Sequence, residues 1–302
     1  MVSTIQDRLG VRFRRIITSS SDGVPPWLED VAAGDDAGLY KPTDAPWVVH
    51  ANFTTLVGGI RALLMQALHP GSLAGVEQHS RYEVDALGRL AGTTRWLTIL
   101  TFGSKSAIAK ESARVNGMHS RVKGEYTSGS GEVKSYRAAD SDLLLWVHVA
   151  FTDSFLVTHQ LYSGVDIPGG ADAYVSLWAK AVEPLGLTSC PMTKGELSAV
   201  IETFDEEGLL VVNDTTLRVV KFIKRPPLSR TARFAYAFLF QAAVASMPQK
   251  YRDRLGLKSL PLWLIQPVTK GLLNLMRLAV GDHSPIEEAA LERLARIGAL
   301  PQ

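Results

Sequence analysis

The chain has 302 residues, 46% hydrophobic and 21% charged, which is ordinary globular usage and excludes disordered and fibrous classes. The formal net charge is only +2, and the scattered Lys and Arg residues form no basic stripe of the kind nucleic acid binding requires. Cys190 is the only cysteine, which excludes an intramolecular disulfide, a Cys-rich zinc site and an iron–sulfur cluster and suits a reducing cytoplasm.

Residues 1–50 are rich in Pro, Gly, Asp and Ser and read as a loop-rich segment with a short helix. Their first part carries Asp7, Arg8, Arg12, Arg14 and Arg15 and lacks the apolar run of a signal peptide or membrane span, so a cytoplasmic protein is expected. From residue 51 to 302 the pattern is that of one helical domain. Apolar positions three and four apart predict a helix over 54–68, which Pro70 ends or kinks, leaving His69, Glu77 and His79 near loops. Further helices are expected over 85–102 and 106–123. A Ser-Gly-Ser-Gly turn at 128–131 between 125–127 and 133–136 predicts a small β-hairpin. The most apolar helix should cover 142–161, with Asp140 or Ser141 as its cap. Others follow over 170–185, 193–207, 214–224, 230–245 and 258–280. Ser284-Pro285-Ile286-Glu287 is a capping box with proline at the first helical position, opening a last helix to about residue 297. The fold class is therefore all-α, with one small β-hairpin. Two apolar stretches, 62–76 and 260–280, are broken by Pro, Lys, Arg or Gln. The second reads as a core or interfacial helix, which leaves peripheral membrane contact open.

Common catalytic signatures are missing. There is no P-loop, no Gly-x-Gly-x-x-Gly, no Gly-x-Ser-x-Gly, and the seven histidines form no His-Glu-x-x-His or Glu-x-x-His pattern. What remains is a set of polar residues where polar groups are costly. His148 sits among Leu143, Leu144, Leu145, Trp146 and Val147, and shares a helical stripe with Thr152, Phe155 and His159. It reads either as a metal or haem ligand or pocket group, or as a core histidine satisfied by a neighbour. An unpaired buried imidazole costs about 1–3 kcal/mol. Residues 116, 119 and 123 are expected on one helical face. His119 among Arg114, Arg121 and Lys123 suits a cofactor bearing carboxylates, and equally a solvated basic face. Arg89 and Thr93, four apart with Trp96 following, suit a bound oxygen species or substrate. They also suit a surface Arg beside a Thr bonded within its own helix.

These segments occur in a recognisable order: 61–70 (RALLMQALHP), 75–80 (GVEQHS), 88–93 (GRLAGT), 101–103 (TFG), 119–124 (HSRVKG), Tyr136-x-Ala-x-Asp140, and 143–148 (LLLWVH) with Asp153-Ser154. The chain thereby resembles the MpaB-type and rubber-oxygenase family from about residue 38 to 255. The resemblance implies a globin-like all-α core around haem b, and chemistry with O2 at a carbon–carbon double bond. It implies that His119 is the axial histidine, that Arg89 and Thr93 form the polar pair over the haem, and that Lys123 is a basic residue one turn beyond. Arg121, with Lys123, would pair the haem carboxylates, and His148 would have a structural or supporting role at the cofactor. One departure stands out. Rubber oxygenases carry Arg-x-x-Lys-Thr with the lysine as a distal ligand, and here that position is Gly92. The expected function is a haem b-dependent oxygenase acting with O2 on a small hydrophobic substrate, isoprenoid-like or aromatic. The alternative is a non-catalytic haem- or lipid-binding helical protein, and a homo-oligomer stays open.

Overall fold

The computed structural model describes Arg15 and residues 23–79, 86–281 and 284–300. Among the described residues are fourteen α-helices and one two-stranded antiparallel hairpin, so the chain is all-α. No single helix among them is long and apolar enough to cross a membrane.

The centre is the pair α3 (Thr55–Gln66) and α7 (Ser141–Tyr162), the most closely packed elements in the molecule. Gly58 permits the approach: a Cβ there would stand 2.6 Å from Phe155 and 2.8 Å from Thr158 Oγ1. Arg61, 1% exposed, is buried at the same seam. Its Nη2 pairs with Asp153 Oδ2 at 2.7 Å and its Nη1 donates to Ser154 Oγ at 2.7 Å. A buried guanidinium is tolerated only when it is paired in this way.

Around the pair lie α2 (Ala45–Ala51), α8 (Gly170–Ala179), α9 (Lys194–Glu206), α10 (Asp214–Lys224), α11 (Arg230–Ala245) and α13 (Leu262–Val280). On one flank α5 (Ala86–Phe102) packs on α2 and on α6 (Lys105–His119). The fully buried Glu111 of α6 pins that contact, accepting from Arg95 Nε at 2.8 Å and Arg114 Nη2 at 2.6 Å. The hairpin, β1 (Lys123–Thr127) with β2 (Val133–Arg137), lies against α4 (Pro70–His79).

A clasp joins the two ends of the fold. Helix α14 (Pro285–Arg296) packs on α1 (Leu28–Ala32) and on α5. Buried Arg293 donates from Nη1 to Val31 O and from Nη2 to Phe102 O at 2.8 Å. Ser284 Oγ accepts the Glu287 amide at 3.2 Å, as the cap predicts, while the Glu287 carboxylate accepts Trp47 Nε1 at 3.0 Å.

Several expectations are corrected. Pro70 does not merely end a helix. It opens α4, since a missing N–H is harmless at a first helical position, and His69 Nδ1 accepts the Ser72 amide at 3.3 Å in the manner of a cap. His69 therefore lies in the short bend between the two helices and caps the second, Glu77 lies within α4, and the side chain of His79 lies outside the described residues. The helix expected over 106–123 stops at His119, where Ser120 caps it and the chain turns through Arg121 N to Met118 O at 3.1 Å. Lys123 begins β1, opposite Arg137, and does not share a helical face with residues 116 and 119. The helix expected over 170–185 ends at Ala179, where the amides of Lys180, Ala181 and Val182 bond three residues back instead of four, and a 3-10 turn, Glu183–Leu185, follows. Helix α12 (Gln249–Arg254) carries no apolar periodicity and was not expected.

Candidate functional site

Four described histidines are buried, and their hydrogen bonds separate them. His50 on α2 is saturated. Thr101 Oγ1 spends its proton on Leu97 O at 2.7 Å, so it must accept from His50 Nδ1–H at 2.8 Å. His50 Nε2 is then left to accept the Tyr174 hydroxyl at 2.9 Å. His69 accepts the Ser72 amide, and His159 Nε2 meets Val165 O at 2.9 Å. His148 differs: neither ring nitrogen has a hydrogen-bond partner among the described residues. Burial pushes its pKa down to about 4, so at neutral pH it is an uncharged imidazole with a donor and an acceptor to offer. An uncharged imidazole is also the form that ligates metals.

A second buried nitrogen without a hydrogen-bond partner among the described residues, Trp96 Nε1, belongs to α5, one turn beyond Thr93. A chain of rings runs between the two helices. Trp96 meets Trp178 edge-on at 5.8 Å, Trp178 meets His50 at 4.3 Å, His50 meets Phe155 at 5.3 Å, and Phe155 meets Phe151 at 5.9 Å. Phe151 and Phe155 lie on the stripe of α7 that carries His148. On the α5 side, Gly92, Thr93, Trp96 and Leu97 are all only half-buried although they lie mid-helix. A Cβ placed on Gly92 would meet nothing within 4 Å.

The expected site residues fall as follows. Thr93 is half-buried on α5, and Arg89 lies in the first turns of the same helix with its side chain outside the described residues. His119 is half-buried in the last turn of α6. Arg121 and Lys123 are exposed just beyond it. The chain just after His119 packs against the first turn of α7. Val122, whose amide donates to His119 O at 3.2 Å, packs with Ala74, Tyr136 and Leu143, and Leu143 precedes His148 by little more than a turn of α7. Sequence reasoning missed the roles of His50 and Trp178. Both are ordinary residues on amphipathic helices, and only tertiary packing brings them to the ring chain. Among the described residues, no group of three or more His, Cys, Asp or Glu side chains could hold a metal ion.

Among the described residues, the helical interior thus gathers unpaired imidazole and indole nitrogens among aromatic rings. The match to known families carries this further: the model for the ER-bound oxygenase mpaB/B'/rubber oxygenase catalytic domain covers residues 47–281, and the chain belongs to this oxygenase family. No curated protein and no solved structure matches the chain.

Proposed function

We propose that this protein is a haem b-dependent oxygenase acting with O2 on a small hydrophobic substrate, isoprenoid-like or aromatic. The observation that carries this reading is His148, a buried neutral imidazole with both nitrogens unpaired, in a chain of an oxygenase family. Such a group is left unpaired only at a cost of about 1–3 kcal/mol, and a cofactor in contact with it would remove that cost. Haem suits the residues present, because its macrocycle supplies four ligands and the protein need supply only one imidazole.

By its resemblance to the family, His119 would hold the iron. His148 then faces the cofactor as a neutral hydrogen-bonding group, and Arg121 and Lys123 offer their charges to its carboxylates. When bound, the haem supplies the iron at which dioxygen is taken up. The protein residues have other work. Thr93 and Arg89 would supply the polar groups beside the cofactor. Trp96, Phe151 and Phe155 exclude water and give an apolar substrate its contact surface.

The test is an absorption spectrum of protein expressed with haem supplementation, with and without dithionite and carbon monoxide. A Soret band that shifts on reduction and again with carbon monoxide is expected. His119→Ala should lose haem and recover it with added imidazole, whereas His148→Ala should keep haem with a displaced band. The reverse pattern would transfer the iron to His148. A colourless protein that takes up no haemin in stoichiometric amount would overturn the proposal and favour a lipid binder.

A further inference from the structure

The net charge of +2 conceals a strong segregation. Between Thr215 and Gly281 there are twelve Lys and Arg residues and one acid, Asp253. On α10 and its C-cap, Lys221, Lys224 and Arg225 are exposed and have no ion-pair partner among the described residues. The Tyr236 hydroxyl donates to Ile223 O at 2.6 Å and so ties the end of α10 to α11, whose first turn exposes Arg230 and Arg233.

The same helices expose large apolar side chains. Along α13 the buried residues Ile265, Thr269 and Leu273 face the protein. On the far side Leu264, Val268, Leu275 and Leu278 recur at helical spacing as one exposed stripe, Leu278 at 70%. Trp263, 75% exposed, leads the stripe, and Lys270 and Arg277 flank it. Helix α11 adds Phe234 and Phe238, stacked edge-on at 5.1 Å and both exposed. The two helices pack on each other and are tied to the same end of α7, where Gln266 Nε2 donates to Leu161 O and the Tyr162 hydroxyl to Ala242 O, both at 2.8 Å.

Exposed apolar area of this extent marks a contact surface. The charge says what covers it. A symmetric dimer through this face would set the same cations against themselves, like charge on like. The matching partner is apolar at its centre and anionic at its rim. A phospholipid leaflet has both properties, with tryptophan seated at its boundary and Lys and Arg reaching up to the headgroups. We propose that the face formed by α10, α11 and α13 docks this protein in plane on an anionic phospholipid leaflet. The Leu264, Val268, Leu275 and Leu278 stripe enters the acyl boundary, and the flanking cations meet the phosphates. This rests on surface residues alone and is independent of the haem proposal.

The test is co-sedimentation of the full chain with vesicles of phosphatidylcholine, alone or with about a third phosphatidylglycerol. Binding to the anionic vesicles only is expected, and it should weaken as salt is added. The double variant Leu275→Glu/Leu278→Glu, checked for retained helicity by circular dichroism, should bind more than about tenfold more weakly. Lys221→Glu/Lys224→Glu should lose about fivefold or more per site. Three outcomes would overturn the proposal: no binding by the parent protein, equal binding by the stripe variant, or self-association without lipid that the stripe variant abolishes.

Discussion

Burial holds the imidazoles of His50 and His148 down to about 3 and about 4. The folded protein therefore keeps both neutral across the mildly acid range, while in the unfolded chain each takes up a proton below about pH 6.5. The unfolded state binds more protons as the pH falls. Stability that is fully present above about pH 6.5 is progressively lost from there towards about pH 3. The melting temperature should accordingly drop between pH 7 and pH 5. His50→Gln, which retains a donor and an acceptor for Thr101 and Tyr174, should show a shallower drop in calorimetry at those two pH values. An unchanged slope would mean that His50 contributes nothing to the acid sensitivity.

Between elements, the α3–α7 seam offers a contrast of neighbours. A side chain at Gly58 collides with Phe155 and Thr158, whereas one at Gly59 meets nothing within 4 Å. Gly58→Val should destabilise by about 1–3 kcal/mol through overpacking. Gly59→Ala should stabilise by about 0.5–1 kcal/mol, because helical glycine pays a larger entropy cost than alanine. Urea denaturation of both variants checks the pair, and equal effects would mean that the seam is not packed this closely. The long helices of this layer were legible from apolar spacing and caps, and so was the hairpin from its Ser-Gly turn. Pro70 was not, because the residue that ends one helix also serves as the first position of the next, and only the His69 cap decides between them. Lys123 was misplaced because nothing between His119 and Gly124 forbids another helical turn. At the site, His148 was visible as a polar residue on an apolar helix. Its lack of a partner among the described residues is a property of packing, and so is the ring chain linking Trp96, Trp178, His50 and Phe155.

At the scale of the molecule, the family match stops at residues 47 and 281, yet the fold is closed by residues on either side of that range. Arg293 caps carbonyls of Val31 and Phe102, Glu287 holds Trp47, and Arg296 Nη2 reaches Ala32 O and Gly34 O at 3.1 and 2.9 Å. Phe102 ends α5, the helix that carries Thr93 and Trp96, so the clasp also bears on the candidate site. Arg293→Met keeps most of the buried stem and removes the donors. It should cost about 2–3 kcal/mol in urea denaturation, since two buried carbonyls lose their partner. A loss below about 0.5 kcal/mol would show that those carbonyls are satisfied in some other way.

The clasp also has a place in time. The Arg293–Val31 contact joins residues 262 positions apart, whereas the turns of α3, α6 and α7 close within themselves. Bringing distant segments together consumes loop entropy before any contact repays it, so the helices and their nearer pairings should be in place when the barrier is crossed. Arg293→Met should therefore leave the refolding limb of a chevron plot nearly unchanged and accelerate the unfolding limb, the signature of an interaction made after the transition state. The clasp would thus act chiefly on how long the native protein persists once formed.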